Sequence, residues 1–246
     1  MRRGVLAMQI ILNRHKLRLS KKDIENLSCF FYNKSTGLLA AVFSNLPLPL
    51  KRHCVQVGFV AGQMAKHAPD SVILDGMTRG EYANAVRYGC LYHDIGAYLV
   101  YNQHKLYPAA GERFLREQLS EEVPSPKARC VILETVQFYG ERYDGQGYPD
   151  RLSGSEIPLH AGICAIADGI DGIISGRYGI LNNPAAEAKR FVCENSGTAF
   201  SPDAVRCFME AYPDICDLYK SWRRVPPFWN NREIKPLVNP IDRTIG

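Results

Sequence analysis

Between Tyr139 and Asp171 the chain reads YGERYDGQGYPDRLSGSEIPLHAGICAIADGID. No stretch restricts the possible fold more tightly. Asp144-Gly145-Gln146-Gly147-Tyr148-Pro149 makes a dense loop, and Ser153-Gly154 makes a second turn. Glycines admit positive φ and close backbone approach, while Pro149 and Pro158 fix the angles of the chain on either side. After Ile157-Pro158 an apolar helix begins, and it carries Asp168. Such a stretch is either a structured connection between two core helices or one wall of a site. The second reading gains from Leu91-Tyr92-His93-Asp94-Ile95-Gly96 upstream, another acid and imidazole beside a glycine stop.

The rest of the chain reads as helices. Residues 1–19 form an irregular or strand-like leader, followed by helical spacing at Ile24, Leu27 and Phe31 and a short helix over Leu38 to Phe43. Pro47 and Pro49 make the first break. Lys51 to Lys66 is a helix with Val57, Val60, Ala61 and Met64 as its apolar stripe, and His53 lies one turn before Val57 on the same face. His53 is thus a hydrogen-bonded core residue or a ligand. Thr78-Arg79-Gly80-Glu81 is a capping box for a helix through about Ile95. A short helix around Ala110 to Gln118 follows, and Ser125-Pro126 opens another that runs to Phe138. The apolar helix from Leu159 to Ser175 has Ile163, Ile166, Ala167, Ile170 and Ile174 as its core face. Pro184 to Asn195 is a further helix, and Ser201-Pro202 caps one with Val205, Phe208, Met209 and Tyr212 facing inward. From Lys220 onward the helical period is lost and an extended tail is expected. The expected class is all-α, a compact bundle over residues 47–216 with an N-terminal helical extension (1–46) and a C-terminal tail (217–246).

At 246 residues the chain can bury a full core, and its 46% apolar and 22% charged content is that of an ordinary globular protein. A net charge of +5 is too mild to argue for a nucleic-acid polymer, though it suits an anionic small molecule. The eight cysteines are scattered without a CxxC pair, so they read as buried apolar residues in a reducing compartment. The apolar run after Met1-Arg2-Arg3 is too short to span a bilayer and lacks a small-residue cleavage site. A cytoplasmic protein with no membrane partner is expected.

His53, His93, Asp94 and Asp168 would supply two nitrogens and two carboxylates from separate helices. His93 and Asp94 are adjacent and cannot share a helical face, but at a helix end both can reach one ion. A mixed N/O set suits Mn²⁺, Fe²⁺ or Zn²⁺ better than Ca²⁺ and leaves positions open for water and substrate. Such an ion acidifies water and neutralises phosphoryl charge, the main needs of phosphoester hydrolysis.

These segments resemble the HD superfamily of metal-dependent phosphohydrolases, and within it the HD-GYP class, whose members are all-helical and best known for hydrolysing cyclic di-GMP. The resemblance runs from about His53 to Tyr212. LYHDIG matches the His-Asp signature, ERYDGQGYPDRLSGSEIPL the long GYP signature, AIADGID the helix with the last ligand, and Gly197-Thr198-Ala199-Phe200-Ser201-Pro202 the segment that closes the domain. It implies His53, His93, Asp94 and Asp168 as metal ligands, with Asp94 also catalytic. Tyr139, Arg142 and Arg177 are the expected substrate contacts.

The departures are equally specific. Ala97 stands where the family has a lysine beside the phosphate, and Tyr107 where its next ligand histidine precedes a proline. Tyr139 and Gly140 replace its paired histidines, and Pro49 replaces the glutamate of three-metal members. Tyrosine and glycine do not stand in for imidazole as a metal ligand at neutral pH. One tightly held transition metal per chain is therefore expected. Three functions are consistent with this: a one-metal hydrolase of a phosphorylated small molecule or nucleotide; a degenerate HD-GYP domain that binds a ligand without turnover; and a cyclic di-GMP phosphodiesterase with rearranged ligands. Regulation by a protein partner or by homo-oligomerisation is compatible with each. His104 could replace the missing ligand, but reads more simply as a surface residue. His15, His67 and His160 are left as structural.

Overall fold

The computed structural model describes residues 42–43, 45–73, 76–100, 103–119, 125–175 and 182–222. Arg177, most of the N-terminal extension and the chain beyond Trp222 lie outside the described residues. Helix α1 (Leu48–Ala65) follows Pro47 and carries Pro49 in its first turn, where a missing N–H is harmless. Val57, Val60, Ala61 and Met64 are fully buried along it, as their spacing predicts. Helix α2 (Arg79–Tyr92) starts at the expected capping box: Thr78 Oγ1 accepts from the Glu81 N–H, and the Glu81 carboxylate accepts from the Thr78 N–H at 2.8 Å.

The helix ends at Tyr92, three residues before the expected Ile95, and His93, Asp94 and Ile95 lie in a turn. Gly96 begins a one-turn helix α3 (Gly96–Leu99). A Cβ on Gly96 would run into the Tyr107 carbonyl, so the chain leaves α2 where only glycine lets the two backbones meet. Helix α4 (Tyr107–Gln118) begins at Tyr107, three residues earlier than its pattern suggests. Helix α5 (Pro126–Phe138) is capped by the Ser125 hydroxyl, which accepts from the Lys127 N–H at 3.2 Å.

Helix α6 (Leu159–Ile174) is the hub. Its Ile163, Ile166, Ala167 and Ile170 are fully buried, and it packs against α1, α5, α7 (Pro184–Glu194) and α8 (Pro202–Trp222). Helix α8 differs most from expectation. It passes through Pro213 without ending and runs on to Trp222, past Lys220 where an extended tail was expected. Its buried face is Ala204, Cys207, Phe208, Ala211, Ile215 and Tyr219, while Val205, Met209 and Tyr212 are only partly covered. Among the described residues the elements are helical apart from one isolated bridge, Ser196 to Phe200. None of the described helices is long and apolar enough to cross a membrane. The described cysteines are all free; Cys54, Cys90, Cys164 and Cys207 are buried as expected, but Cys130 and Cys193 are exposed.

Candidate metal centre

Where α1, the turn after α2 and α6 meet, they bring together the residues singled out above. His53 Nε2 lies 3.1 Å from Asp168 Oδ1 and 3.8 Å from Asp94 Oδ2. His93 Nε2 lies 3.5 Å from Asp94 Oδ2 and 3.9 Å from Asp168 Oδ1. His53, His93 and Asp94 are buried, and their ligand atoms fall within 4.8 Å of one another. The early end of α2 is what makes this possible. His93 and Asp94 lie in a tightened turn with i→i−3 bonds, where the Ile95 N–H donates to the Tyr92 carbonyl and the Ala97 N–H to that of Asp94, and their neighbouring side chains converge on one point.

The outward-facing ring nitrogens settle the tautomers. His93 Nδ1 is 2.6 Å from the Cys90 carbonyl, which can only accept, so Nδ1 carries the proton. His53 Nδ1 is 2.8 Å from the Asp171 carboxylate and donates to it. Each Nε2 then turns a lone pair toward two carboxylates. Burial holds the His93 imidazole below its usual pKa, although Asp94 and Asp168 pull the other way, which favours the neutral form that can ligate. His93 Nε2 is buried and makes no hydrogen bond. Lone pairs and carboxylate oxygens crowded together out of water call for a cation between them, and the donor set fits a divalent transition metal. The nearby Cys164 thiol is pushed well up by burial and by its hydrogen bond with the Cys90 thiol.

The opposite side of the centre is built differently. Tyr139, at the end of α5, donates its hydroxyl to Asp94 Oδ1 at 2.8 Å and sets its ring edge-on to His93, with centroids 4.9 Å apart. A side chain at Gly140 would meet the Tyr148 ring at 2.7 Å. Tyr107 is buried, with its backbone against Gly96. The Asp94 oxygen that turns away from the two imidazoles is therefore engaged by a phenol.

Beside Asp168 opens a shallow, solvent-open cleft lined by Tyr139, Gly140, Glu141, Arg142, Tyr148, Ala165, Gly169, Phe191, Ala199 and Phe200. Phe191 and Phe200 pack edge to face at 5.6 Å, and Phe191 lies over Gly169, next to Asp168. Arg142 forks onto Asp144, holding that carboxyl below its usual pKa, while Nη1 stays buried without a hydrogen bond. The loop behind it is folded around Glu141, whose Oε1 accepts from the Asp150 N–H at 2.7 Å. A Cβ on Gly147 would collide with the Arg142 and Glu141 backbone, which accounts for a glycine at that point of the signature. The surface reading of His104 agrees with its half-exposed place in a short turn before α4. His160 is bound to Glu134 at 2.9 Å.

Comparison with known proteins follows the same lines. The HD domain family matches residues 50–173, about half of the chain, and so spans three of these residues' elements: α1, the turn after α2, and α6. The chain belongs to the HD domain family. Among HD-type relatives, a cyclic di-GMP phosphodiesterase of Thermotoga maritima is 27% identical over 69% of this chain and 46% of its own length. A cyclic di-GMP phosphodiesterase of Vibrio cholerae is 40% identical over 32% of this chain and 16% of its own. A cyclic di-GMP phosphodiesterase response regulator of Xanthomonas campestris is 60% identical over 15% of this chain and 10% of its own. The chain spans less than half the length of each of these relatives.

Two buried polar residues of the HD centre escaped the sequence reading. Asp171 lies within the matched AIADGID segment, yet only Asp168 was singled out there. A second acid three residues along an otherwise apolar helix was the available signal. Tyr219 carried none, lying 48 residues further on in a helix expected to have ended.

Proposed function

We propose that this chain is a metal-dependent phosphohydrolase, cleaving a phosphate ester at a single divalent metal held by His53, His93, Asp94 and Asp168. The observation that carries the reading is the pair of imidazoles whose Nδ1 protons are committed to Cys90 and Asp171, leaving both Nε2 atoms facing Asp94 and Asp168. A divalent ion there would acidify water and offset phosphoryl charge. Asp94 is the catalytic residue in this reading, with Oδ2 toward the imidazoles and its orientation fixed by the Tyr139 hydroxyl. Tyr139 also supports a count of one metal, because it engages the carboxylate oxygen through which Asp94 would bridge to a second.

A nucleotide is the substrate class that best suits the cleft beside Asp168. Tyr148, Phe191 and Phe200 offer aromatic surface for a base, and Arg142 Nη1 offers a donor to an anionic group. Arg177 is retained as a proposed substrate contact on the strength of the family resemblance alone. The second reading, a cyclic di-GMP phosphodiesterase, is favoured by the names of the relatives. The test is to load the protein with Mn²⁺ or Fe²⁺ and present cyclic di-GMP, mononucleotides and simple phosphate monoesters in parallel. Turnover of monoesters that is lost in Asp94→Ala supports the one-metal hydrolase. Rapid cleavage of cyclic di-GMP that is lost in the same variant supports the second reading. Binding without turnover of any of them replaces both with a ligand-binding domain.

A further inference from the structure

Asp171 is fully buried on α6, one turn beyond Asp168, and both of its carboxylate oxygens are engaged. Oδ2 accepts from His53 Nδ1 at 2.8 Å, and Oδ1 accepts from the Tyr219 hydroxyl at 3.0 Å. Tyr219 is itself buried, near the end of α8 and outside the 50–173 segment that matches the HD family. The three side chains form one line from the C-terminal helix to the imidazole that faces Asp168 and Asp94. A buried aromatic hydroxyl needs a partner in any protein, so the contact alone would be unremarked. What distinguishes it is the partner: the carboxylate that sets the tautomer and aim of a ligand-bearing histidine.

We infer that Tyr219 is a positioning residue for the metal centre, acting on His53 through Asp171. The inference rests on the single-metal reading of the site. A carboxylate is kept from pivoting about its Cβ–Cγ axis by donors on both oxygens, and the Tyr219 hydroxyl on Oδ1 helps to fix the plane of Asp171 and keep Oδ2 on His53. That fixes the ring against rotation and raises the basicity of Nε2, as carboxylates behind ligating histidines do. The C-terminal helix is then a working part of the centre and not merely a cover over the core. Without the phenol, the buried carboxylate loses a donor and the imidazole loses its fixed aim.

The test measures Co²⁺ affinity by chelator competition, together with the visible absorption of the bound ion, on the full chain. Tyr219→Phe keeps the ring and deletes only the hydroxyl. Substitutions behind a metal ligand cost about 10–100-fold in metal affinity, and Tyr219→Phe is expected to cost about 10-fold, with altered Co²⁺ bands, in a metal-free protein that still unfolds cooperatively but at a lower melting temperature. Asp171→Asn is expected to weaken binding more, and adding Tyr219→Phe to it should cost little further, because the route through Asp171 is already broken. Wild-type affinity and bands in Tyr219→Phe overturn the inference, as does an equal loss in the presence and absence of Asp171→Asn. Should Tyr219→Phe fail to fold, Asp171→Asn decides: wild-type Co²⁺ binding in that variant overturns the inference. Wild-type protein that binds no Co²⁺ overturns both the inference and the reading beneath it, which separates the two failures.

Discussion

The two sides of the centre follow opposite rules. On the side of α1, α6 and the end of α2, the atoms behind the imidazoles are backed in turn: His53 by Asp171, Asp171 by Tyr219, and His93 by the Cys90 carbonyl. On the side of α4 and α5, the positions where the resemblance led to an expectation of further histidines hold Tyr107, Tyr139 and Gly140, and the Tyr139 phenol donates to Asp94 Oδ1. On the proposed reading, one half would hold a cation and the other would do without one. The contrast lies in how each buried acid is satisfied. A buried acid whose neighbours disappear must find a new donor, and Tyr139 supplies it to Asp94.

The comparison can be broken most directly on its intact side. His93→Ala or Asp94→Ala should lower metal affinity by more than about 100-fold, beyond the range of outer-shell changes, as read by elemental analysis and titration. Retention of one full equivalent in both variants would remove the centre from this place. Next in size is the rate on phosphodiesters. On the single-metal reading, an Ala97 where the resemblance implies a lysine and the lack of a second ion would each remove charge stabilisation that costs on the order of 10²–10³ in rate, so cyclic di-GMP cleavage by the wild type should be slow or absent. Tyr139→His combined with Ala97→Lys should raise that rate by up to about 10²–10³-fold, measured against the same preparation of wild type.

A smaller effect sharpens the count of metals. Tyr139→Phe frees Asp94 Oδ1 without adding a ligand, and stoichiometry should stay at one. Tyr139→His adds an imidazole beside the freed oxygen, and a second, weaker binding step should appear in calorimetry. Identical single-step titrations in both variants would mean that Tyr139 does not limit the count. The smallest effect lies away from the centre. The hydrogen bond from His160 holds the Glu134 carboxyl below its usual pKa of 4.5. Glu134 therefore contributes stability that is complete above that value and is lost as pH falls through the lower folded value. Glu134→Gln should flatten the acid limb of the stability curve in that window, with little change at neutral pH.

Much of this was legible in the sequence, because caps and ligands are local in character. Thr78 with Glu81 and Ser125 with Pro126 mark helix starts by chemistry that needs nothing distant. His53, His93, Asp94 and Asp168 could be named together because imidazole and carboxylate are metal-ligating groups and because the family resemblance set them in one ligand set. What could not be read depended on packing between distant segments. The end of α2 at Tyr92 is set by the close approach of Gly96 to Tyr107, which no local pattern records. The continuation of α8 to Trp222 was hidden by the tryptophans, prolines and arginines that follow Lys220, although Ala211, Ile215 and Tyr219 keep a four-residue spacing along its buried face. The hydroxyl of Tyr139 was legible as a lost imidazole but not as a new donor to Asp94.

The distance in sequence between His53 and Asp171, 118 residues, also sets an order of events during synthesis. A ribosome delivers α1 first and α6 much later, so no cation can find its full ligand set on a chain that has not yet grown past Asp168. The backing of His53 waits longer still, until Tyr219 has emerged. On the proposed reading, metal loading would be a late step that reports a finished fold, and a nascent chain stalled before α8 would carry a centre without the backing of Tyr219.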